Sequence, residues 1–402
     1  MNKKRNNERV AQNKLFKKLF EEILRRINGK HCNYNITGIE IKLRRNQRLM
    51  TLAELAEDIC SISYLCKVEQ SQIKPSLMSL NDICVKLGIS DETLEALMSL
   101  EGALKDLVRA YFEKDSQTIQ KIYQSGIGLE NYRYKIIQYV YNVFEKEHEK
   151  ASEIGRSLIN LTNVLSDEDL TVFSVFYTIE NFNFLDGKEI YKELECILKM
   201  PTLDDSIVYL IKILKVKCLF VMNSSLLIKE IEELSNEFLK IARFDLIEDI
   251  RYIEALYFLF NKEFDAFDNI KKILSLKLYI KNLDLYEKFI KNEKINNKDL
   301  VGVGDFAFAL GTAKNDLDKA LEFIGQSKEC NDYVEFDSSM IEYSSLKGAD
   351  EKYNFIAFNV LPSLKLSNNK LVANYYKEEL KELTKETNKY KLYFQFCMEM
   401  NV

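Results

Sequence analysis

Proline is almost absent from this sequence, and its scarcity is the feature that most restricts the fold. The 402 residues include only three prolines and 13 glycines. Turns and strand edges draw on these two residue types, so the chain is expected to be almost entirely helical. No apolar run reaches the roughly 18–20 residues of a membrane span, and residues 1–20 lack the apolar core of a signal peptide. We therefore expect an all-α, cytoplasmic protein.

The cysteines and histidines predict neither a metal site nor a disulfide framework. Eight cysteines are scattered without a C-x-x-C pair, and His31 and His148 are the only histidines in the sequence. A zinc site needs about four clustered nitrogen or sulfur ligands. We interpret the cysteines as reduced, mostly buried thiols and expect no metal and no cofactor.

Charge is distributed unevenly along the chain. Residues 1–50 carry 14 basic and four acidic side chains, a balance of +10, and residues 51–100 carry three and eight, a balance of −5. The whole chain has a formal charge of −5, so the remaining residues carry −10. A basic end on an acidic body predicts that one end of the molecule meets phosphate.

The N-terminal segment has a helical pattern with two possible uses. Residues 13–27 place seven apolar side chains on one face and several basic ones on the other. Such a helix either packs on the neighbouring domain or reaches along DNA as a basic arm. Residues 28–38 are rich in Asn and Gly and predict a linker.

Residues 38–100 predict five short helices in one compact unit. Thr51 with Glu54 three residues later is a capping box, and Ser61, Ser76 and Ser90 are further helix-start signals. Gly88 is expected to end the fourth helix. These elements are too short to belong to a large repeat.

Beyond residue 116 the predicted helices lengthen and recur at a regular interval. The second helix of each pair is expected to begin near Ala151, Ile190, Ile228 and Ala266, at intervals of 39, 38 and 38 residues. Ala320 and Ala373 follow after 54 and 53 residues, which leaves room for an additional helix. This periodicity is typical of an α-solenoid of five to seven helical hairpins.

The segment from Ile39 to about Leu97 resembles the lambda-repressor-like (Xre-type) helix-turn-helix family. Thr51 opens the second helix, Leu55-Ala56 pack it, Ser61 caps the third helix, and Leu65 and Val68 face the core. Lys74-Pro75-Ser76 then leads into the fourth helix. Leu52 departs from the family pattern, since a glutamine that contacts DNA is usual there. The resemblance implies DNA binding.

The third helix has the composition of a recognition helix, which exposes short polar and basic side chains in the major groove. Helix N-termini and basic side chains near it are expected to meet the DNA backbone. The predicted DNA contacts are Arg44, Arg45, Thr51, Ser61, Ser63, Tyr64, Lys67 and Lys74, with Arg48 as a further candidate.

A helix-turn-helix followed by long helical repeats resembles the RRNPP family of peptide-responsive regulators. The expected fold is all-α, with an N-terminal lambda-repressor-like helix-turn-helix domain and a tetratricopeptide-like α-solenoid. The predicted divisions are a basic arm and linker (1–35), the helix-turn-helix domain (36–100), a connecting helix (101–115) and the repeat domain (116–402). The resemblance implies a homodimer on a palindromic operator and a short linear signalling peptide in the concave groove of the repeats, as in quorum sensing.

An extended peptide needs side chains that bond its backbone, typically Asn, and charges for its termini. The repeat register puts Asn183, Lys217 and Arg251 on or near the inner helix faces and Asn181 one turn-edge away. Ordinary solvated positions are the alternative for each of the four.

Enzymatic chemistry has no sequence support. Residues 302–307 match G-x-G-x-x-A, but a polar segment precedes them where a dinucleotide site requires a strand, so we interpret them as a loop that opens a helix. Acidic pairs such as Glu232-Glu233 have no catalytic partner nearby. Two alternatives to a peptide-controlled regulator stay open: a DNA-binding regulator whose solenoid only dimerises or binds a protein, and an interaction scaffold that has lost DNA binding.

Overall fold

A computed structural model describes residues 2–29, 36–70, 72, 73, 75–90, 100, 102–127, 131–163, 165–200, 204–313, 315–326, 339–367 and 369–400. Within these ranges the chain forms helices and turns and contains no strand. The all-α fold is therefore confirmed. The fifth helix expected near residues 91–99 lies outside the described residues. No described helix is long and apolar enough to cross a membrane.

The N-terminal segment forms one long helix, α1 (Asn2–Ile27), which packs against the protein. Phe16, Leu19 and Ile23 are fully buried, as the apolar stripe predicts, whereas Leu24 on the same stripe is 37% exposed. The guanidinium of Arg26 is also fully buried and pairs with Glu22 and Asp167. At this end α1 is built into the core and does not extend as a free basic arm.

Four helices then form a compact N-terminal unit, here called the head (residues 36–90). They are α2 (Ile36–Gln47), α3 (Leu52–Ala56), α4 (Ile62–Glu69) and α5 (Leu77–Leu87). Thr51 caps α3 in a full capping box, and the Ser61 and Ser76 hydroxyls accept from backbone amides of α4 and α5. Gly88 ends α5 in the left-handed conformation at φ 59°, where side chains with a Cβ are strained. Each of these start and stop signals is confirmed.

The rest of the chain continues as a succession of helices. They are α6 (Ala103–Glu113), α7 (Ser116–Ser125), α8 (Tyr132–Phe144), α9 (His148–Ile159), α10 (Asp167–Asn181), α11 (Gly187–Ile197), α12 (Asp205–Val221), α13 (Leu227–Lys240), α14 (Phe244–Phe260), α15 (Phe264–Ile273), α16 (Lys277–Ile290), α17 (Asp305–Ala313), α18 (Leu317–Gln326), α19 (Ser339–Ser345), α20 (Ala349–Phe355), α21 (Leu361–Ser367), α22 (Lys370–Thr387) and α23 (Lys391–Met400). Short 3-10 helices cover Phe182–Phe184 and Asn297–Leu300, and a π-helical turn covers Ile356–Val360.

The repeat register agrees with the sequence. All six expected positions lie in the first turns of α9, α11, α13, α15, α18 and α22. The additional helix expected in the first long gap is α16. The first helices of successive hairpins pack together, α8 against α10 and α14 against α16. This packing is tetratricopeptide-like.

The described chain divides into two compact units that do not follow simple sequence boundaries. One contains residues 14–181 and 192–211, and therefore includes the head; the other contains residues 1–13, 182–191 and 212–402. The G-x-G-x-x-A string lies in the second unit. It follows a 3-10 helix and opens α17, so the interpretation as a helix-opening loop is confirmed.

The buried carboxyl of Glu193 generates a prediction about pH. Its side chain is fully buried, neither oxygen has a hydrogen-bond partner among the described residues, and burial raises its pKa well above the usual carboxyl range. The folded chain therefore holds this proton to a higher pH than the unfolded chain, and the free energy of unfolding falls as the pH rises past the ordinary carboxyl pKa. Glu193→Gln is expected to remove that fall and to be more stable than the parent at neutral pH.

Urea unfolding from about pH 4 to about pH 8 measures this effect. Glu232→Gln, on an exposed position of α13, is the matched control and should keep the parent's pH dependence. Parallel curves for the parent and Glu193→Gln would contradict the prediction.

Candidate nucleic-acid interface

The head is held together by an apolar core shared by all four of its helices. Leu55, Leu65, Val68 and Ile83 are fully buried at its centre. Leu65 and Val68 are three residues apart on α4, which fixes which side of that helix turns inward. The opposite side of α4 therefore faces away from the core.

The outward side of α4 carries the side chains predicted to read DNA. Ser63 and Lys67 are exposed, and Ile62 is 52% exposed. The Ser61 hydroxyl accepts a hydrogen bond from the Tyr64 backbone amide at 3.1 Å and so fixes the start of the helix. The N-terminal half of α4 thus presents a polar surface to solvent.

Tyr64 is less free than the sequence suggested. Its ring is partly buried against the head core, and its hydroxyl accepts a hydrogen bond from the Ser76 backbone amide at 3.1 Å. This bond ties α4 to the start of α5, and the phenolic hydrogen has no acceptor among the described residues. Lys74 lies outside the described residues. The roles of both residues in DNA binding stay predictions.

Thr51 is fully engaged in its capping box. Its hydroxyl accepts from the Glu54 amide at 3.2 Å and donates to a Glu54 carboxylate oxygen at 2.8 Å, and its own amide donates to that same oxygen at 2.6 Å. The contribution predicted for Thr51 is therefore to orient the amides of α3, because its own hydroxyl is bonded to Glu54.

Arg45 is tied into the head at every guanidinium nitrogen. Its Nε and Nη2 donate to the two Glu69 carboxylate oxygens at 2.6 and 2.9 Å, and its Nη1 donates to the Met50 carbonyl at 2.8 Å. The Glu69 hydrogen bond raises the Arg45 pKa above its usual value. The pair joins α2 to the end of α4, so this arginine has a structural role in addition to its predicted DNA role.

Arg44, its neighbour, is held in a different way. Its Nε donates to Glu40 at 2.8 Å, and its two terminal nitrogens have no partner within the described ranges. Its side chain is 29% exposed. Arg48 uses Nη1 to bond the Lys86 carbonyl at 3.2 Å on the exposed end of α5. Arg44 therefore keeps the nitrogens that best match a phosphate.

The four residues predicted to hold a peptide occupy different environments. Asn181 is 5% exposed and donates to the Tyr177 carbonyl at 3.0 Å in its own helix. Asn183, Lys217 and Arg251 belong to the other compact unit and are half-buried. Arg251 donates to the nearly buried Glu254 at 2.6 Å, and the Asn183 carbonyl accepts from Arg9 at 3.3 Å.

Sequence reasoning missed two polar residues that support the candidate interface. Glu40 is 3% exposed, and Asn131, the N-cap of α8, donates to it at 2.8 Å. The i, i+4 spacing of Glu40 and Arg44 and the helix-start position of Asn131 were visible in the sequence. Their meeting, across 91 residues of chain, was not.

No family model and no curated protein matches this chain. Among solved structures it is similar to Bacillus thuringiensis PlcR in complex with the peptide PapR7 and DNA, at 20% identity and TM-score 0.33, over 64% of this chain and 99% of that chain. It is also similar to the SHP pheromone receptor Rgg2 of Streptococcus dysgalactiae, at 13% identity and TM-score 0.19, over 72% and 92%. Both are RRNPP-type regulators, the family that the sequence resembles. TM-scores this low assign neither a ligand nor a function to the chain.

The Arg45–Glu69 pair yields a stability prediction. Arg45→Met leaves the nearly buried Glu69 carboxylate without its partner, and the head should lose about 3 kcal/mol of stability. Arg45→Met with Glu69→Leu removes both charges and should recover most of that loss.

Hydrogen exchange of the amides of α2 and α4 measures the opening free energy of the head in the full chain. Arg48→Met, which removes an exposed arginine with no buried carboxylate as its partner, is the control and should change it by less than about 1 kcal/mol. Equal effects of Arg48→Met and Arg45→Met would contradict a special structural role for Arg45.

Proposed function

We propose that this chain is a sequence-specific, double-stranded-DNA-binding transcriptional regulator. The observation that carries the proposal is the arrangement of α4 in the head. This capped helix buries Leu65 and Val68 and exposes Ser63 and Lys67, as a helix that enters the major groove must do. α3 and α5 brace it from within the same core.

The charges near α4 support binding to a polyanion. Arg44 lies on α2, Arg48 lies in the turn that follows α2, and Lys67 lies on the exposed side of α4. Part of the basic excess in residues 1–50 is internal, because Arg9 and Arg26 are buried and bonded within the protein. Arg44, Arg48 and Lys67 are among the cations that the head can offer to phosphate.

We further propose that a short signalling peptide controls DNA binding through the repeats. Its supports are the tetratricopeptide-like hairpins, the family resemblance of the sequence, and polar side chains on helices of the repeats that an extended peptide backbone could use. Asn183, Lys217 and Arg251 are the candidates in one unit, and Asn181 is the candidate in the other. A homodimer on a palindromic operator belongs to this proposal.

The two alternatives make different predictions. A regulator whose repeats only dimerise or bind a protein would bind DNA without responding to peptide. A scaffold that has lost DNA binding would show no salt-sensitive affinity for duplex DNA, because that sensitivity arises from phosphate contacts.

A mobility-shift experiment on the intergenic DNA beside this protein's own gene tests the proposal. It is run at low salt, with and without a small-peptide fraction of conditioned medium. A shift that the peptide fraction alters supports both parts of the proposal, and a shift indifferent to it supports only DNA binding. Failure to bind this DNA or a mixed-sequence duplex at low salt would overturn both.

Substitutions on α4 test the interface directly. Lys67→Ala and Tyr64→Ala should each weaken DNA binding by about tenfold, since each removes a polar group that faces the groove or positions α4. Ser63→Ala should have a smaller effect. Fluorescence anisotropy with labelled duplex DNA measures the affinities.

Tyr64→Phe separates the roles of the ring and the hydroxyl, because it keeps the buried ring and removes the acceptor for the Ser76 amide. Lys272→Ala, an exposed lysine of α15 in the other unit, is the control and should bind DNA as the parent does. Parental affinity in both Lys67→Ala and Tyr64→Ala would mean that α4 is not the recognition helix.

Substitutions in the repeats test peptide control. Asn183→Ala keeps the main-chain carbonyl that Arg9 bonds and removes only the side-chain amide. Asn183→Ala and Lys217→Ala should each reduce the response to peptide at least about tenfold and leave peptide-free DNA binding unchanged. Lys229→Ala, exposed on α13, is the control. An unchanged response in both variants would remove these residues from the peptide site.

A further inference from the structure

A hydrogen-bonded chain of polar residues connects the head to the repeats within one compact unit. Asn131, the N-cap of α8, donates from its side-chain amide to Glu40 on α2 at 2.8 Å. Glu40 also accepts from Arg44 at 2.8 Å, through its other carboxylate oxygen. Glu40 and Asn131 are each 3% exposed. The carboxylate is therefore held from two sides, once by the head and once by α8.

The end of this chain on α8 is itself fixed. The Asn131 side-chain oxygen accepts from the Arg133 amide at 2.7 Å, and Arg133 forms a buried ion pair with Asp169 of α10 at 2.9 Å. Tyr132 donates to the other Asp169 oxygen at 3.1 Å. Asn131 thus cannot rotate freely to follow Glu40 if the head moves.

The geometry at Arg44 gives the contact a consequence for binding. Of the guanidinium nitrogens of Arg44, only Nε donates a hydrogen bond to Glu40. The N–H groups of the two terminal nitrogens have no partner among the described residues. An arginine held along one edge by a carboxylate has fewer rotamers to lose when its other nitrogens bind a phosphate. Asn131 therefore fixes the Glu40 carboxylate, and this carboxylate in turn holds Arg44.

We propose that Asn131 is a positioning residue for DNA binding: through Glu40 it orients Arg44 toward a backbone phosphate and links the helical repeats energetically to the head. The inference rests on the proposed DNA-binding function and adds its coupling to the repeats. Since such a coupling is reciprocal, occupation of the DNA site also stabilises the contact between α8 and the head.

Asn131→Ser in the full chain tests the proposal. Serine remains a good N-cap and can still accept from the Arg133 amide, but it is too short to reach Glu40. With a fluorescein-labelled duplex of mixed sequence, the variant should bind about three- to tenfold more weakly than the parent. The slope of log affinity against log salt should become shallower by up to about 0.9, the contribution of one phosphate contact.

Two further variants separate positioning from a general structural effect. In an Arg44→Ala background, Asn131→Ser should cause no additional loss of affinity, because the residue that it positions is gone. Asn369→Ser makes the same substitution at the N-cap of α22, where the side chain accepts from the Val372 amide at 3.1 Å. This control should leave DNA affinity and salt slope unchanged.

Parental affinity and slope in Asn131→Ser would overturn the inference. So would an equal loss in the Arg44→Ala background, which would assign the effect to the fold of α8. Both results leave the proposed function intact, because the parent still binds DNA. A parent chain that fails to bind duplex DNA at low salt would instead overturn the function, and this inference with it.

Discussion

The ion pair between Arg45 and Glu69 fixes the orientation of α4 in the head. It joins α2 to the end of α4 by two hydrogen bonds, at 2.6 and 2.9 Å, while the core joins the same helices through Leu65 and Val68. Apolar packing alone permits helices to slide or rotate, whereas a bidentate pair requires one orientation. The exposed side of α4 therefore has a defined direction before it meets any ligand.

Arg44 and Arg45 are adjacent on α2 and have the same side chain, but the fold gives them different roles. All three guanidinium nitrogens of Arg45 donate hydrogen bonds within the head, whereas Arg44 is held by a hydrogen bond from Nε only. Composition near residues 44 and 45 predicts the same role for both, since both are basic and close to a recognition helix. The positions of the carboxylates of Glu40 and Glu69, supplied by other parts of the fold, separate the two roles.

Buried polar groups outside the head show the same dependence on partners. Arg26 is fully buried yet bonded to Glu22, Asp167 and two main-chain carbonyls. Glu193 is equally buried without a partner among the described residues, so its pKa rises and folding favours its neutral form. The fold can bury the charge of Arg26 because that charge has partners. Glu193 has none among the described residues, so its protonation makes the free energy of unfolding depend on pH.

By itself the sequence determined the all-α class, the caps of α3, α4 and α5, the inward faces of Leu65 and Val68, and the repeat register. These features depend on neighbours within one or two helical turns, or on a spacing that recurs along the chain. Only the tertiary structure decided that Arg26 is internal, that Tyr64 bonds the start of α5, and that Glu40 meets Asn131. The physical reason is that a hydrogen bond or an ion pair requires two groups within about 3 Å, and residues far apart in sequence reach that distance only when the whole chain has packed.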